Sequence, residues 1–142
     1  MMDIDLFKQV NDSYGHQVGD KVLQEFSLRL TNSLREYDIL ARYGGEEFTL
    51  LLPDTNTSTA MIIADKLRNT IAQPVFCLKD ETDLKVTASF GVATNQGEQI
   101  DWQQLISFAD QALYHAKKEG RNCVRLHTAD VHQLTKTKTE NQ

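Results

Sequence analysis

Gly44-Gly45-Glu46-Glu47-Phe48 joins two short apolar runs, Ile39-Leu40-Ala41 and Phe48 to Leu52. Paired glycines between such runs predict a tight β-hairpin, because the primed turns need positive φ, which glycine adopts freely. Two neighbouring carboxylates at a hairpin tip repel unless something neutralises them, and a divalent cation would do so. An exposed Glu-Glu in a polar turn is the plainer reading of the same residues.

Outward from the hairpin, the periodicities predict a full set of elements. Residues 7–14 form a short helix that stops at Gly15, and Asp20 is an N-cap for a second helix carrying Val22, Leu23, Phe26, Leu30 and Leu34. The hairpin strands span about 38–43 and 46–53, with Pro53 ending the second. A third helix, about 57–72, places Ala60, Ile63, Ala64, Leu67 and Ile71 on one stripe. Val86, Ala88, Phe90 and Val92 alternate as a strand with one face on the core. Asp101 and Gln104 read as a capping box for a fourth helix, 102–118, followed by Gly120. Asn122 to Leu126 is a last short strand, Met1 to Asp5 reads as the end of a first one, and an extra hairpin fits around 76–84. The order β-α-α-β-β-α-β-α-β predicts an α+β sandwich, with hairpin-paired strands and helices on one face. It does not fit a doubly wound parallel sheet.

The 142 residues suit one domain, and 40% apolar with 25% charged residues is ordinary for a globular chain. A net charge of −5 argues against a binder of duplex nucleic acid. No apolar run has bilayer length and no signal peptide is visible. Cys77 and Cys123 lack metal-ligand spacing and read as free thiols in a reducing compartment. Residues 127–142 are polar, rich in Thr and Lys and without period, and read as a disordered tail or linker stub.

The hairpin belongs to a longer series: Asp3-Ile4-Asp5-Leu6-Phe7-Lys8, Asn11-Asp12, Gly15-His16, Gly19-Asp20, Ser89-Phe90-Gly91-Val92-Ala93, and Ala112-Leu113-Tyr114 leading to Lys117 and Gly120-Arg121-Asn122. In this order and spacing the series resembles the GGDEF family of diguanylate cyclases, in its GGEEF variant, over residues 1–126. The family's leading segment, with its Asp-x-Leu-Thr-x-Leu-x-Asn-Arg motif, does not precede Met1. The resemblance thus implies a catalytic domain lacking its leading helix, usually governed by an upstream sensory or receiver module.

The resemblance also implies a palm-like, nucleotidyl-cyclase-like fold with a ferredoxin-like βααββαβ core, its antiparallel-type central sheet flanked by helices. The implied reaction condenses two GTP into cyclic di-GMP and two pyrophosphates in a cytoplasmic homodimer, whether or not the parent protein is membrane-anchored. Asp3, the Ile4 carbonyl and Glu46 match metal ligands for Mg²⁺ or Mn²⁺, two per site, as hard oxygen donors should. Glu46 is also the candidate acceptor of the 3′-hydroxyl proton, and Glu47 is a further ligand or a neighbour that supports one. Asn11 and Asp20 match the guanine contacts, and His16 another substrate contact. Lys117 and Arg121, four apart on one helical face, match triphosphate contacts together with backbone amides near Phe7 and Lys8. Each has a structural alternative: Asp20 as a cap, Asn11-Asp12 as a turn, His16 as surface, and Lys117 and Arg121 as partners of a helix dipole. Phe26, Leu30 and the Ala112-Leu113-Tyr114 run read as core under either account.

Arg35-Glu36-Tyr37-Asp38 matches the family's inhibitory element, an Arg-x-x-Asp ahead of the hairpin glycines that binds product. Arginine suits that role because its planar fork bonds phosphate or a guanine edge and stacks on the base. Lys66 stands where many members carry a supporting arginine, and would lose the fork and the stacking. The alternative to an active enzyme is a catalytically inactive receptor for cyclic di-GMP bound at Arg35 and Asp38. A cyclase for a different or mixed cyclic dinucleotide is a third reading, against which the acceptor carboxylate of Asp20 favours guanine.

Overall fold

The computed structural model describes residues 1–73, 76–77, 83–95, 97 and 99–128. The described chain runs β1 (Met2–Ile4), α1 (Phe7–Tyr14), α2 (His16–Asn32), β2 (Ile39–Gly44), β3 (Glu47–Leu51), α3 (Thr57–Ala72), β4 (Phe76–Cys77), β5 (Asp83–Leu84), β6 (Ala88–Val92), α4 (Trp102–Lys118) and β7 (Val124–Leu126). Five strands form the main sheet in the order β2-β3-β1-β6-β7, and the short β4–β5 pair is the extra hairpin. All pairings in the main sheet are antiparallel except β6–β7, which is parallel across the α4 crossover.

The shortest central strand organises the rest. Met2 and Ile4 of β1 point into a core with Phe48 and Phe90, capped by Val22, Phe26 and Leu67 from α2 and α3. Burying a side chain such as Phe26, which is fully buried, stabilises the fold by roughly 1.5–3 kcal/mol. Residues that alternate with these lie on the opposite face, where Met1 meets Ala109 and Leu113 of α4. Helices therefore cover both faces of the sheet, not one. The reason is visible in β6: Ala88 and Phe90 join the first core, while Ser89 and Gly91 are also buried, so the strand lacks a solvent face.

Gly91 lets α4 approach. A Cβ there would lie 2.1 Å from the Ala109 carbonyl oxygen and 2.3 Å from the Leu113 nitrogen. The helix that arrives is capped as the sequence predicts, with the Gln104 N–H donating to Asp101 Oδ1 at 2.8 Å and the Gln104 side chain accepting from the Asp101 N–H. Similarly Asn56 Oδ1 accepts from the Thr59 N–H at 2.9 Å to open α3.

Several expectations need correction. Asp20 is not an N-cap: α2 begins at His16, because Gly15, at φ 88° and ψ 161°, closes α1 and opens α2 within a single residue. Asn122 is not in the last strand, since it and Arg121 are left-handed, at φ 45° and 62°. Tyr114 is exposed rather than core; Ala112, Leu113 and Ala116 fill the buried stripe of α4, and Lys118 lies over the Tyr114 ring. Val86 is buried but precedes its strand. His127, grouped with the tail by composition, stacks on Phe108 with ring centroids 4.2 Å apart, and its N–H bonds the Val92 carbonyl. The tail from residue 129 onward lies outside the described residues.

Candidate active site

The hairpin turn is Gly45-Glu46, closed by the Gly44–Glu47 pair. Only Gly45 takes positive φ, at 50°, and Arg42 Nε bonds its carbonyl at 2.8 Å. Gly44 belongs to the strand, next to a register shift after Arg42. This bulge sets the tip beside β1: Asp3 lies directly opposite Glu47, and the Ile4 N–H donates to the Glu46 carbonyl at 3.2 Å. Asp3, Ile4, Glu46 and Glu47 are thus brought to one place by strand pairing alone.

Lys117, from the far end of the chain, reaches the same place. Its Nζ donates to Asp3 Oδ2 at 2.7 Å, with the Asp3 side chain only 8% exposed. Burial pushes the Asp3 carboxyl above its ordinary value; the Lys117 bond and charge pull the other way, and Glu46 and Glu47 add to the rise. A buried carboxylate in an acidic corner is therefore already matched to a cation. Among the described residues no three His, Cys, Asp or Glu side chains are grouped so as to hold a metal ion. Two carboxylates and a carbonyl make an open set, which suits a hard cation that keeps positions for water and phosphate.

Arg121 does not share a helical face with Lys117, because α4 ends at Lys118. It projects instead from the left-handed turn beyond the helix and is exposed. Phe7 and Lys8 begin α1, whose cap residue, Leu6, is left-handed at φ 55° and provides no side-chain bond. The first amides of such a helix have no intrahelical partner and carry its positive dipole end.

The α1–α2 hairpin seats Asn11 beside Gly19, the residue before Asp20. Gly19 is buried against Asn11, and a Cβ there would lie 1.9 Å from Asn11 Oδ1. Asp20 follows Gly19 directly and is exposed, as is His16 in the first turn of α2.

Arg35 and Asp38 lie in the connection after α2, not at its end. The Arg35 N–H donates to Asp38 Oδ2 at 2.9 Å, and its guanidinium holds both carboxylate oxygens, at 3.3 and 3.1 Å. The same guanidinium bonds Thr55 Oγ1 at 3.0 Å and lies 4.8 Å from the Tyr37 ring centroid. Lys66 is exposed on α3 beside Ile62, Asp65 and Asn69, and no bond joins it to Arg35 or Asp38 among the described residues.

Sequence reading gave Asp5 no role, yet its carboxylate accepts three hydrogen bonds. Ser89 Oγ donates to Oδ1 at 2.6 Å, and Thr87 Oγ1 and the Asn122 N–H donate to Oδ2 at 2.7 and 2.9 Å. A separate apolar groove of ≈ 930 Å³ runs between α3, α4 and the turn after β3, and contains none of the acidic or basic residues above except through the shared sheet.

A fold in which a short strand and a hairpin present carboxylates beside a basic arm defines the palm-like nucleotidyl cyclases. A family model described as "Diguanylate cyclase, GGDEF domain" matches residues 1–123, and the chain belongs to that family. It is 42% identical over 125 residues to the response regulator PleD of Caulobacter vibrioides, covering 87% of this chain and 28% of that protein. The GGDEF domain of YfiN (TpbB) from Pseudomonas aeruginosa superposes with a TM-score of 0.85 at 35% identity, covering 91% of this chain and 80% of that one. The active GGEEF domain of a diguanylate cyclase from Vibrio cholerae gives 0.82 at 31%, covering 91% and 81%. The chain thus spans about a quarter of PleD's length. No helix among the described residues is long and apolar enough to cross a membrane.

Proposed function

We propose that this chain is a working diguanylate cyclase domain, joining two GTP into cyclic di-GMP with release of two pyrophosphates. The observation that carries this reading is the β1–β3 register, which sets Asp3 against Glu47 and Ile4 against Glu46 with the Lys117 ammonium alongside. Asp3, the Ile4 carbonyl and Glu46 would hold Mg²⁺ or Mn²⁺, up to two ions, with Glu47 as a further ligand or a support. Such ions supply charge stabilisation at the attacking 3′-oxygen and at the departing pyrophosphate.

The chain's own residues do the rest. Lys117, Arg121 and the first amides of α1 at Phe7 and Lys8 hold the triphosphate; the helix end favours anions without a side-chain cap in the way. Asn11 and Asp20 read guanine, with His16 at the edge of the same pocket. Glu46 accepts the 3′-hydroxyl proton as the new O–P bond forms at the α-phosphate and the bond to pyrophosphate breaks. Each chain holds one GTP, so two copies must face each other across a two-fold axis. An upstream sensory or receiver module would govern that pairing in the parent protein. Arg35 and Asp38 form a separate product site, a brake on turnover, with Lys66 a weak contributor.

The test is GTP turnover with Mg²⁺ by this chain fused to a dimerising coiled coil, beside its Glu46→Ala variant. Cyclic di-GMP that forms with the first and not the second is the expected result. No product, with cyclic di-GMP binding that disappears in Arg35→Ala, would make the domain a receptor instead.

A further inference from the structure

We infer that Asp5 and Arg68 are positioning residues that clamp the Arg121-Asn122 turn from two sides, thereby placing the Arg121 guanidinium for the triphosphate. The inference rests on the reading of Arg121 given above.

The turn is one the chain would not hold unaided. Two successive residues other than glycine are left-handed, a region that L side chains enter at a steric cost. Gly120, at φ 110°, lets the chain leave α4, and the Arg121 N–H bonds back to the Ala116 carbonyl at 3.0 Å. Beyond that bond the turn depends on its neighbours. From the turn after β1, Asp5 Oδ2 takes the Asn122 N–H at 2.9 Å. From α3, Arg68 NH1 donates to Asn122 Oδ1 at 3.0 Å.

Both clamps are themselves held rigid. The Asp5 carboxylate is fixed by Ser89 and Thr87. The Arg68 guanidinium is fixed by Asp65 at 2.9 Å and Asn69 Oδ1 at 3.0 Å. Asp5 bonds Thr87, Ser89 and Asn122 and no residue of the Glu46–Glu47 tip. It sits two residues from Asp3, just past the end of β1, and Lys117 is bonded to Asp3. The turn that follows the acidic strand thus also holds the segment on which Arg121 stands. Arg68 ties the same point to the far layer of the fold.

The experiment is a double-mutant cycle on GTP affinity, measured by titration calorimetry with Mg²⁺ on the chain, with Arg68→Gln, Arg121→Ala and the pair combined. Arg68 is not among the buried apolar residues of α3, and thermal melting shows whether its loss leaves the core intact. A positioning role predicts a roughly tenfold weaker GTP affinity for each single variant at unchanged Tm. The double variant should be no weaker than Arg121→Ala alone, because a misplaced and a missing guanidinium are equivalent. Arg68→Lys, which can still donate to Asn122, should recover part of the affinity. Asn122→Gly, which removes the acceptor while relieving the left-handed residue, should resemble Arg68→Gln without loss of stability. Multiplying effects in the double variant, or an Arg68→Gln protein that binds GTP normally, would overturn the inference. A wild-type chain that binds no GTP would overturn the functional reading and the inference with it, before any variant is compared.

Discussion

Lys117 Nζ stands 2.7 Å from Asp3 Oδ2, a contact between residues 114 positions apart. It places a cation on the buried acid at the centre of the candidate site. Burial still holds the Asp3 pKa above its ordinary value. A folded carboxyl with a raised pKa binds its proton more tightly than the unfolded chain does. Its effect on stability is therefore most favourable below the unfolded value and is lost as pH rises through the folded one. Asp3→Asn removes that loss, so metal-free melts should show a Tm gap in favour of the variant that grows upward from about pH 4 and then levels. The variant should make no cyclic di-GMP. Equal melting curves at neutral pH would contradict the electrostatic account.

Gly19→Ala separates recognition from stability. Its Cβ collides with Asn11 Oδ1, the end of a movable side chain, while alanine favours the helix by about 1 kcal/mol. Stability should stay within about 1 kcal/mol of wild type in urea denaturation. GTP affinity should fall roughly tenfold, about 1.4 kcal/mol, as Asn11 swings aside. Unchanged affinity would remove Asn11 from the base pocket.

Gly91→Ala should do the reverse. Here the collision is with the backbone of α4 at Ala109 and Leu113, which cannot turn away. Overpacking of this kind costs about 3 kcal/mol or more, read as a lower urea midpoint at unchanged slope. A midpoint equal to wild type would mean that α4 is seated less closely on β6.

If Arg35 and Asp38 form the proposed product site, Arg35→Ala should abolish cyclic di-GMP binding there and leave initial turnover, before product accumulates, unaltered. Arg35→Lys should not restore it, because one ammonium cannot bond both Asp38 oxygens and stack on a base. Product curves that bend at the same concentration in wild type and variant would place the inhibitory site elsewhere.

What the sequence made legible followed from periodicity and turn chemistry. The α3 and α4 boundaries at Thr57–Ala72 and Trp102–Lys118 match the prediction, because Asn56 and Asp101 are strong caps and the apolar stripes are regular. Asp20 misled because a good cap residue lay inside a helix that Gly15 had already opened. The pairing of Asp3 with Glu47 was expected only as neighbourhood, since register depends on the bulge after Arg42. The roles of Asp5, Arg68 and Asn122 were illegible for a different reason. Their bonds join residues 54 to 117 positions apart, and no local pattern encodes which hydroxyl or amide meets a carboxylate in three dimensions.

The alternation of β1 has one more consequence. Met2 and Ile4 are core residues and Asp3 between them faces the opposite side. Slipping this strand by one position would drive the aspartate among Val22 and Phe26 and expel two of the most buried apolar side chains. Such a molecule could hardly stay folded. Placement of the acid is thus delegated to hydrophobic collapse: copies that assemble this sheet at all carry Asp3 opposite Glu47.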